Sequence, residues 1–219
     1  MLTLIIGNKN YSSWSMRPWV LMRHFAIAFS ERTLRLDSAA FYEALAALTP
    51  TQTVPVLLDG DLVVSDSLAI VEYLAESFPQ HAIWPQGAAA RAHARVLCAT
   101  MHAGFTALRG AMPMNIEARL AGLGWNLAVQ RDLDRICALW RSALDSSGGP
   151  FLFGAFGAAD AFYAPVCARL RTYAPALPDF AEDYVGRVLA APAVAQWCDA
   201  ARAEHDYIAA DEPYRARAG

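Results

Sequence analysis

The sequence predicts a small α/β domain followed by an all-helical one, and three observations carry that prediction. Every strand-like run falls within residues 1–80, alanine-rich segments with helical periodicity fill the chain from residue 88, and a short stretch containing Trp84-Pro85 separates the two. With 219 residues, 56% apolar and 18% charged, the chain can bury a sizeable core without disulfide staples, which excludes a disordered polymer. The 18 basic and 21 acidic residues leave a net charge of −3, which offers no basic footprint for nucleic acid.

The elements follow in order. Residues 2–6 are an unbroken apolar run, suited to a strand covered on both faces. A polar turn over 7–13 leads to a helix predicted over 16–29. Trp19, Val20, Arg23 and Ile27 carry its pattern, and Pro18 sits in the first turn, where a missing N–H costs nothing. Residues 33–36 read as a second strand, and 39–48 as a short amphipathic helix stopped by Thr49-Pro50. Runs at 55–58 and 62–64 flank Asp59-Gly60, the signature of a tight antiparallel hairpin. Over 66–78, Leu68, Val71, Leu74, Ala75 and Phe78 share one helical face. The first domain, 1–80, therefore runs β-α-β-α-β-β-α, and 81–87 form a linker. In the second, 88–219, helices are predicted over 88–120, 126–145, 158–173, 181–189 and 192–208, with no strand.

Cys98, Cys137, Cys167 and Cys198 form no CxxC pair, and the five histidines lack ligand spacing. No metal site is expected, and the thiols fit a free state in a reducing cytoplasm. No apolar run approaches the roughly 20 residues that span a bilayer, and the opening residues carry no basic leader, so no membrane association is expected.

Three features of the first domain can carry chemistry. Tyr11-Ser12-Ser13-Trp14-Ser15-Met16-Arg17 is a serine-rich turn between the first strand and its helix. A helix start there offers free N–H groups and positive potential to a ligand, although serines in such a place also serve as plain caps. Thr53-Val54-Pro55 opens a strand. A trans bond is favoured about ten to one there, whereas a cis bond would turn the Val54 main chain outward to pair with an extended peptide. Asp66-Ser67 precedes an apolar helix, where Ser67 can grip a carboxylate and Asp66 an ammonium, or the pair can simply cap.

In this order, these features resemble the glutathione transferase superfamily. The match includes the β-α-β-α-β-β-α order, Arg17 behind the serines, Val54-Pro55, and Asp66-Ser67-Leu68-Ala69-Ile70. It extends to Gly157-Ala158-Ala159-Asp160, which looks like the family's helical capping box with glycine in place of Ser or Thr. The turn is most similar to the serine-using zeta type, with Trp14 where that class carries cysteine.

The resemblance implies a thioredoxin-like first domain, a helical-bundle second domain, a cytoplasmic homodimer, and glutathione as co-substrate without metal. It further implies that Thr53, Val54 and Pro55 hold the cysteinyl backbone, that Ser67 meets the γ-glutamyl carboxylate and that Asp66 meets its amine. Ser12 or Ser13 would donate to the sulfur, Ser12 being placed first by its spacing to Arg17. The electrophile pocket would draw on Trp14, Met101, Phe105, Arg109 and Met112, although the methionines and Phe105 also have the spacing of ordinary core. The implied activity is conjugation or dehalogenation of a small electrophile. The alternatives are glutathione-dependent cis–trans isomerisation, as by a maleylacetoacetate isomerase, or a non-catalytic binding module.

Overall fold

The apolar run Leu2–Ile6 forms β1, an interior strand of a four-stranded sheet in a computed structural model that describes residues 1–215. The last four residues of the second predicted domain lie outside the described residues. β1 runs parallel to β2 (Phe29–Thr33), with Leu2 opposite Phe29, and antiparallel to β3 (Val56–Asp59), with Ile5 opposite Val56. β4 (Leu62–Ser65) pairs with β3 and completes the order β2-β1-β3-β4. Gly60 makes the hairpin turn at φ 58°, a conformation a Cβ disfavours.

Alternation along β1 divides its side chains between two layers. Leu4 and Ile6 join the main core with α1 (Ser13–His24) and α3 (Ser67–Ser77), whereas Ile5 packs with Phe41 and Leu45 of α2 (Ala39–Ala46).

The first helix and second strand are displaced from their predicted positions. The helix begins at Ser13 and ends at His24, not at residue 29. Ala26 at φ 53° then turns the chain, and the Ile27 N–H bonds to the Met22 carbonyl at 2.9 Å. The strand accordingly takes Phe29–Thr33 rather than 33–36. Its residues from Ser30 onward are exposed, so no apolar alternation marks it in the sequence.

The helical part comprises α4 (Ala88–Ala103), α5 (Thr106–Ala111), α6 (Leu127–Ser147), α7 (Ala158–Tyr173), α8 (Asp179–Ala190) and α9 (Pro192–Glu204). The segment predicted as one helix over 88–120 is thus two helices and an irregular loop. The break falls at Gly104, where a Cβ would lie 2.7 Å from the Thr100 carbonyl oxygen, and Phe105 follows at φ 56°. α7 is the axis of the molecule. All of its residues except Arg171 are buried, and it packs on α4 and α8 and, across the domain boundary, on α1. One apolar core runs through both parts. Among the described residues no helix is long and apolar enough to cross a membrane, no acidic, histidine or cysteine cluster could hold a metal, and the four cysteines are unpaired.

The start of α7 depends on Asp160. Its carboxylate accepts from the Leu152 N–H at 3.1 Å, the Gly157 N–H at 3.0 Å and the Tyr184 hydroxyl at 2.9 Å. Gly157 fits because a Cβ there would press to 3.1 Å on the Ile83 carbonyl oxygen. Burial raises the Asp160 carboxyl from its ordinary 3.8 to about 6, against the pull of those three donors. A carboxyl raised on folding takes up protons in the folded state, so its contribution to stability falls as pH rises from about 4 to 6 and is constant above. Asp160→Ala leaves three donors unpaired, two of them buried, and should cost about 3–5 kcal/mol, measured by urea unfolding at neutral pH.

Candidate functional site

A cleft of about 770 Å³ opens between the two parts of the chain, in the size range of small-molecule sites. Its floor is the turn between β1 and α1. The Asn8 carbonyl accepts from the Tyr11 and Ser12 N–H groups, which brings the chain round into α1. Ser12 occupies the N-cap position without making a side-chain cap bond. Its hydroxyl instead donates to Ser15 Oγ at 2.7 Å, and Ser15 Oγ also accepts from the Gly7 N–H at 3.1 Å. Ser13 Oγ accepts from Arg169 Nη2 at 3.2 Å. Among the described residues the N–H groups of Trp14 and Ser15 have no protein partner, which leaves the first turn of α1 attractive to an anion.

One wall is Thr53-Val54-Pro55, where the Val54–Pro55 bond is cis. Neither the N–H nor the carbonyl of Val54 bonds to another described residue. The next wall is the start of α3. Asp66, at φ 88°, caps that helix by accepting from the Leu68 N–H at 2.8 Å and the Ala69 N–H at 3.2 Å. Its other oxygen lies 3.2 Å from His102 Nε2 of α4, so the carboxylate both caps and faces the cleft. Burial, ahead of every other influence, lowers the His102 pKa, which keeps the ring neutral at pH 7 despite Asp66. Ser67 Oγ accepts from Arg17 Nη1 at 3.3 Å.

Behind this floor lie guanidiniums that form no ion pair among the described residues. Arg17 is buried between the rings of Trp14, at 4.1 Å, and Phe162, at 4.8 Å. Burial, then Arg169 and Arg109, lowers its pKa to about 9, which leaves it charged at neutral pH. Arg169, on α7, is held by the Met112 carbonyl at 2.9 Å and the Pro165 carbonyl at 3.2 Å. Burial, then Arg109, lowers it to about 10. Arg109 lies over Trp14 at 5.1 Å and lines the cleft.

Of the residues singled out from sequence, Ser12, Ser13, Trp14, Thr53, Val54, Pro55, Asp66, Ser67 and Arg109 therefore line one cleft. Met101, Phe105 and Met112 do not. They are buried in the core, and Pro113 and Met114 take the place on the cleft wall. Tyr11 donates to Glu212 at 2.6 Å, and burial and that carboxylate together raise its pKa.

Two contributors escaped the sequence reading. Arg169 is one, and a charge inside a helix that is otherwise apolar nearly all round was the signal for it. The other is the segment after α9, which crosses back over the first domain. Asp206 accepts from Asn8 at 3.0 Å and Arg35 at 3.1 Å, and Ala210 and Asp211 then line the cleft. Nothing in its composition signals that path.

A family model described as the glutathione S-transferase N-terminal domain matches residues 11–77, and one described as the glutathione S-transferase C-terminal domain matches 88–200. The chain is 27% identical over 132 residues to a probable maleylacetoacetate isomerase of Caenorhabditis elegans, covering 60% of this chain and 61% of that protein. It is 29% identical over 100 residues to a probable maleylacetoacetate isomerase of Vibrio cholerae, covering 44% and 46%. The matched stretch thus spans less than two thirds of either relative. A crystal structure of a glutathione transferase homolog from Burkholderia GL BGR1, with bound glutathione, superposes with a TM-score of 0.71 at 27% identity, over 92% of this chain and 98% of that one.

The cap geometry gives a direct stability test. Asp66→Ala should destabilise the protein by about 1–2 kcal/mol in thermal unfolding through loss of two cap bonds. Asp66→Gly should cost less, because glycine adopts the positive φ of this position freely.

Proposed function

The chain belongs to the glutathione S-transferase family, and from that premise we propose that this cleft binds glutathione and activates its thiolate for attack on a small electrophile. The observation that carries the reading is the convergence, in one cleft, of groups suited to each part of the tripeptide. The unpaired main chain of Val54 suits the cysteinyl backbone as an added strand. Ser67 keeps its proton for the γ-glutamyl carboxylate because its oxygen already accepts from Arg17, and Asp66 suits the ammonium. The sulfur then falls to the start of α1, beside Ser12 and Ser13.

A thiol of pKa ~8.5 is only a few per cent ionised near neutral pH. Lowering that value by about two units requires roughly 2.7 kcal/mol of selective stabilisation of the thiolate. A serine is too weak an acid to act as base, so it serves as donor to sulfur. Free N–H groups of the α1 first turn and the buried guanidinium charge add to it. The thiolate attacks an electrophilic carbon, and the new C–S bond forms as a leaving group such as halide departs with its electron pair. The reaction is then conjugation or dehalogenation.

Isomerisation is the second reading. There the thiolate adds to an activated double bond, the adduct rotates about the resulting single bond, and the same sulfur leaves. Two relatives named as probable maleylacetoacetate isomerases and the Arg109 guanidinium on the cleft wall favour it. We also read the protein as a cytoplasmic homodimer; the exposed Leu62 and Val63 on β4 and Val96 on α4 support the dimer, which sedimentation equilibrium tests.

Calorimetric titration with glutathione and turnover of an aryl halide test the main reading. Binding should be detected, and Ser67→Ala should weaken it about tenfold, as expected for a hydrogen bond to a charged group. Replacing Ser12 and Ser13 together by Ala should lower turnover by about one to two orders of magnitude with little loss of affinity. No binding in the wild type overturns the reading, binding without turnover of any electrophile leaves a binding module, and turnover of a cis-enone alone favours the isomerase.

A further inference from the structure

Two buried arginines of this chain each donate to the oxygen of a serine that faces the cleft. Arg17 does so to Ser67 at 3.3 Å and Arg169 to Ser13 at 3.2 Å. A serine hydroxyl has one proton and two lone pairs, so a guanidinium on the oxygen directs the proton to some other acceptor. Ser12 is in the opposite situation. It donates its proton to Ser15 Oγ at 2.7 Å, so it has none to give to a ligand in this arrangement.

We propose that Arg169 is a positioning residue that makes Ser13, rather than Ser12, the hydroxyl donor to the thiolate. The inference rests on the reading of the cleft as a glutathione site, and it reverses the order that spacing to Arg17 suggests. Arg169 is well placed for the task. Its Nε donates to the Met112 carbonyl at 2.9 Å and its Nη1 to the Pro165 carbonyl at 3.2 Å, so the planar fork is fixed with Nη2 aimed at Ser13. Among the described residues it forms no ion pair that would quench its charge. Polarised by that charge, the Ser13 hydroxyl is a stronger donor than a serine hydroxyl in water. Arg169 touches no reacting atom, and it acts chiefly through Ser13, with a smaller direct contribution from its field.

The test is ultraviolet titration of the thiolate in the glutathione complex of the full chain, together with steady-state kinetics. Arg169→Gln should raise the ionisation midpoint of bound glutathione by about one pH unit, which is about tenfold less thiolate at a fixed pH below the midpoint. The turnover number should fall by about the same factor at a pH about one unit below the wild-type midpoint and by about threefold at pH ~7, while KM for glutathione changes by less than about twofold. Ser13→Ala should give the same shift, and Ser12→Ala a smaller one. In the Ser13→Ala background, Arg169→Gln should add a much smaller shift, because most of the effect passes through that hydroxyl. If Arg169→Gln does not fold, Arg169→Met, which removes the charge and keeps much of the volume, carries the same reading. An unmoved midpoint in the Arg169 variant that folds overturns the proposal, as does a larger shift in Ser12→Ala than in Ser13→Ala. Absence of a glutathione-dependent signal in the wild type is a different result, because it overturns the glutathione reading itself.

Discussion

Two guanidiniums buried at the junction of the two domains, neither matched by a carboxylate among the described residues, set the electrostatics on which the candidate site depends. Placing an unpaired charge in an apolar interior is costly, and the usual remedy is an acidic partner. Here Arg17 and Arg169 are instead held by neutral oxygens and ring faces: Ser67, Ser13, two main-chain carbonyls, Trp14 and Phe162. Such partners satisfy N–H groups without cancelling positive charge. The remaining field extends into the adjacent cleft and favours anionic groups there, whether carboxylate or thiolate.

That arrangement requires the two domains to be built as one body. Arg17 comes from α1 and Arg169 from α7, and these helices pack on each other across the boundary within a continuous core. Asp160 secures the start of α7, and through it the position of the guanidinium three turns along. The segment after α9 ties back to the β1–α1 turn through Asn8 and Tyr11, so the serines are held from the second domain on two sides. A cleft assembled this way joins loop residues on its floor and walls to guanidiniums fixed by helix packing.

Much of this was legible from the residues. β1, the hairpin, α3 and α7 fall where apolar runs, Asp-Gly and helical periodicity put them. The second strand was not, because an edge strand exposed from Ser30 onward carries no alternation, and a turn through Ala26 has none of the usual Gly or Pro marks. Likewise Met101, Phe105 and Met112 have the same helical spacing whether they line a cleft or fill a core. Tertiary packing places all three in the core.

Local patterns alone determined the class of fold, the serine-rich helix start, the Val54-Pro55 strand opening and the Asp66-Ser67 cap, since each depends on neighbours within a few residues. Which serine keeps its proton is a different kind of fact. It depends on Ser15, three residues along from Ser12, and on Arg169, 156 residues from Ser13. Hydroxyl direction is set by whichever donor or acceptor lies within about 3 Å in space, and only tertiary packing brings α7 that close to α1.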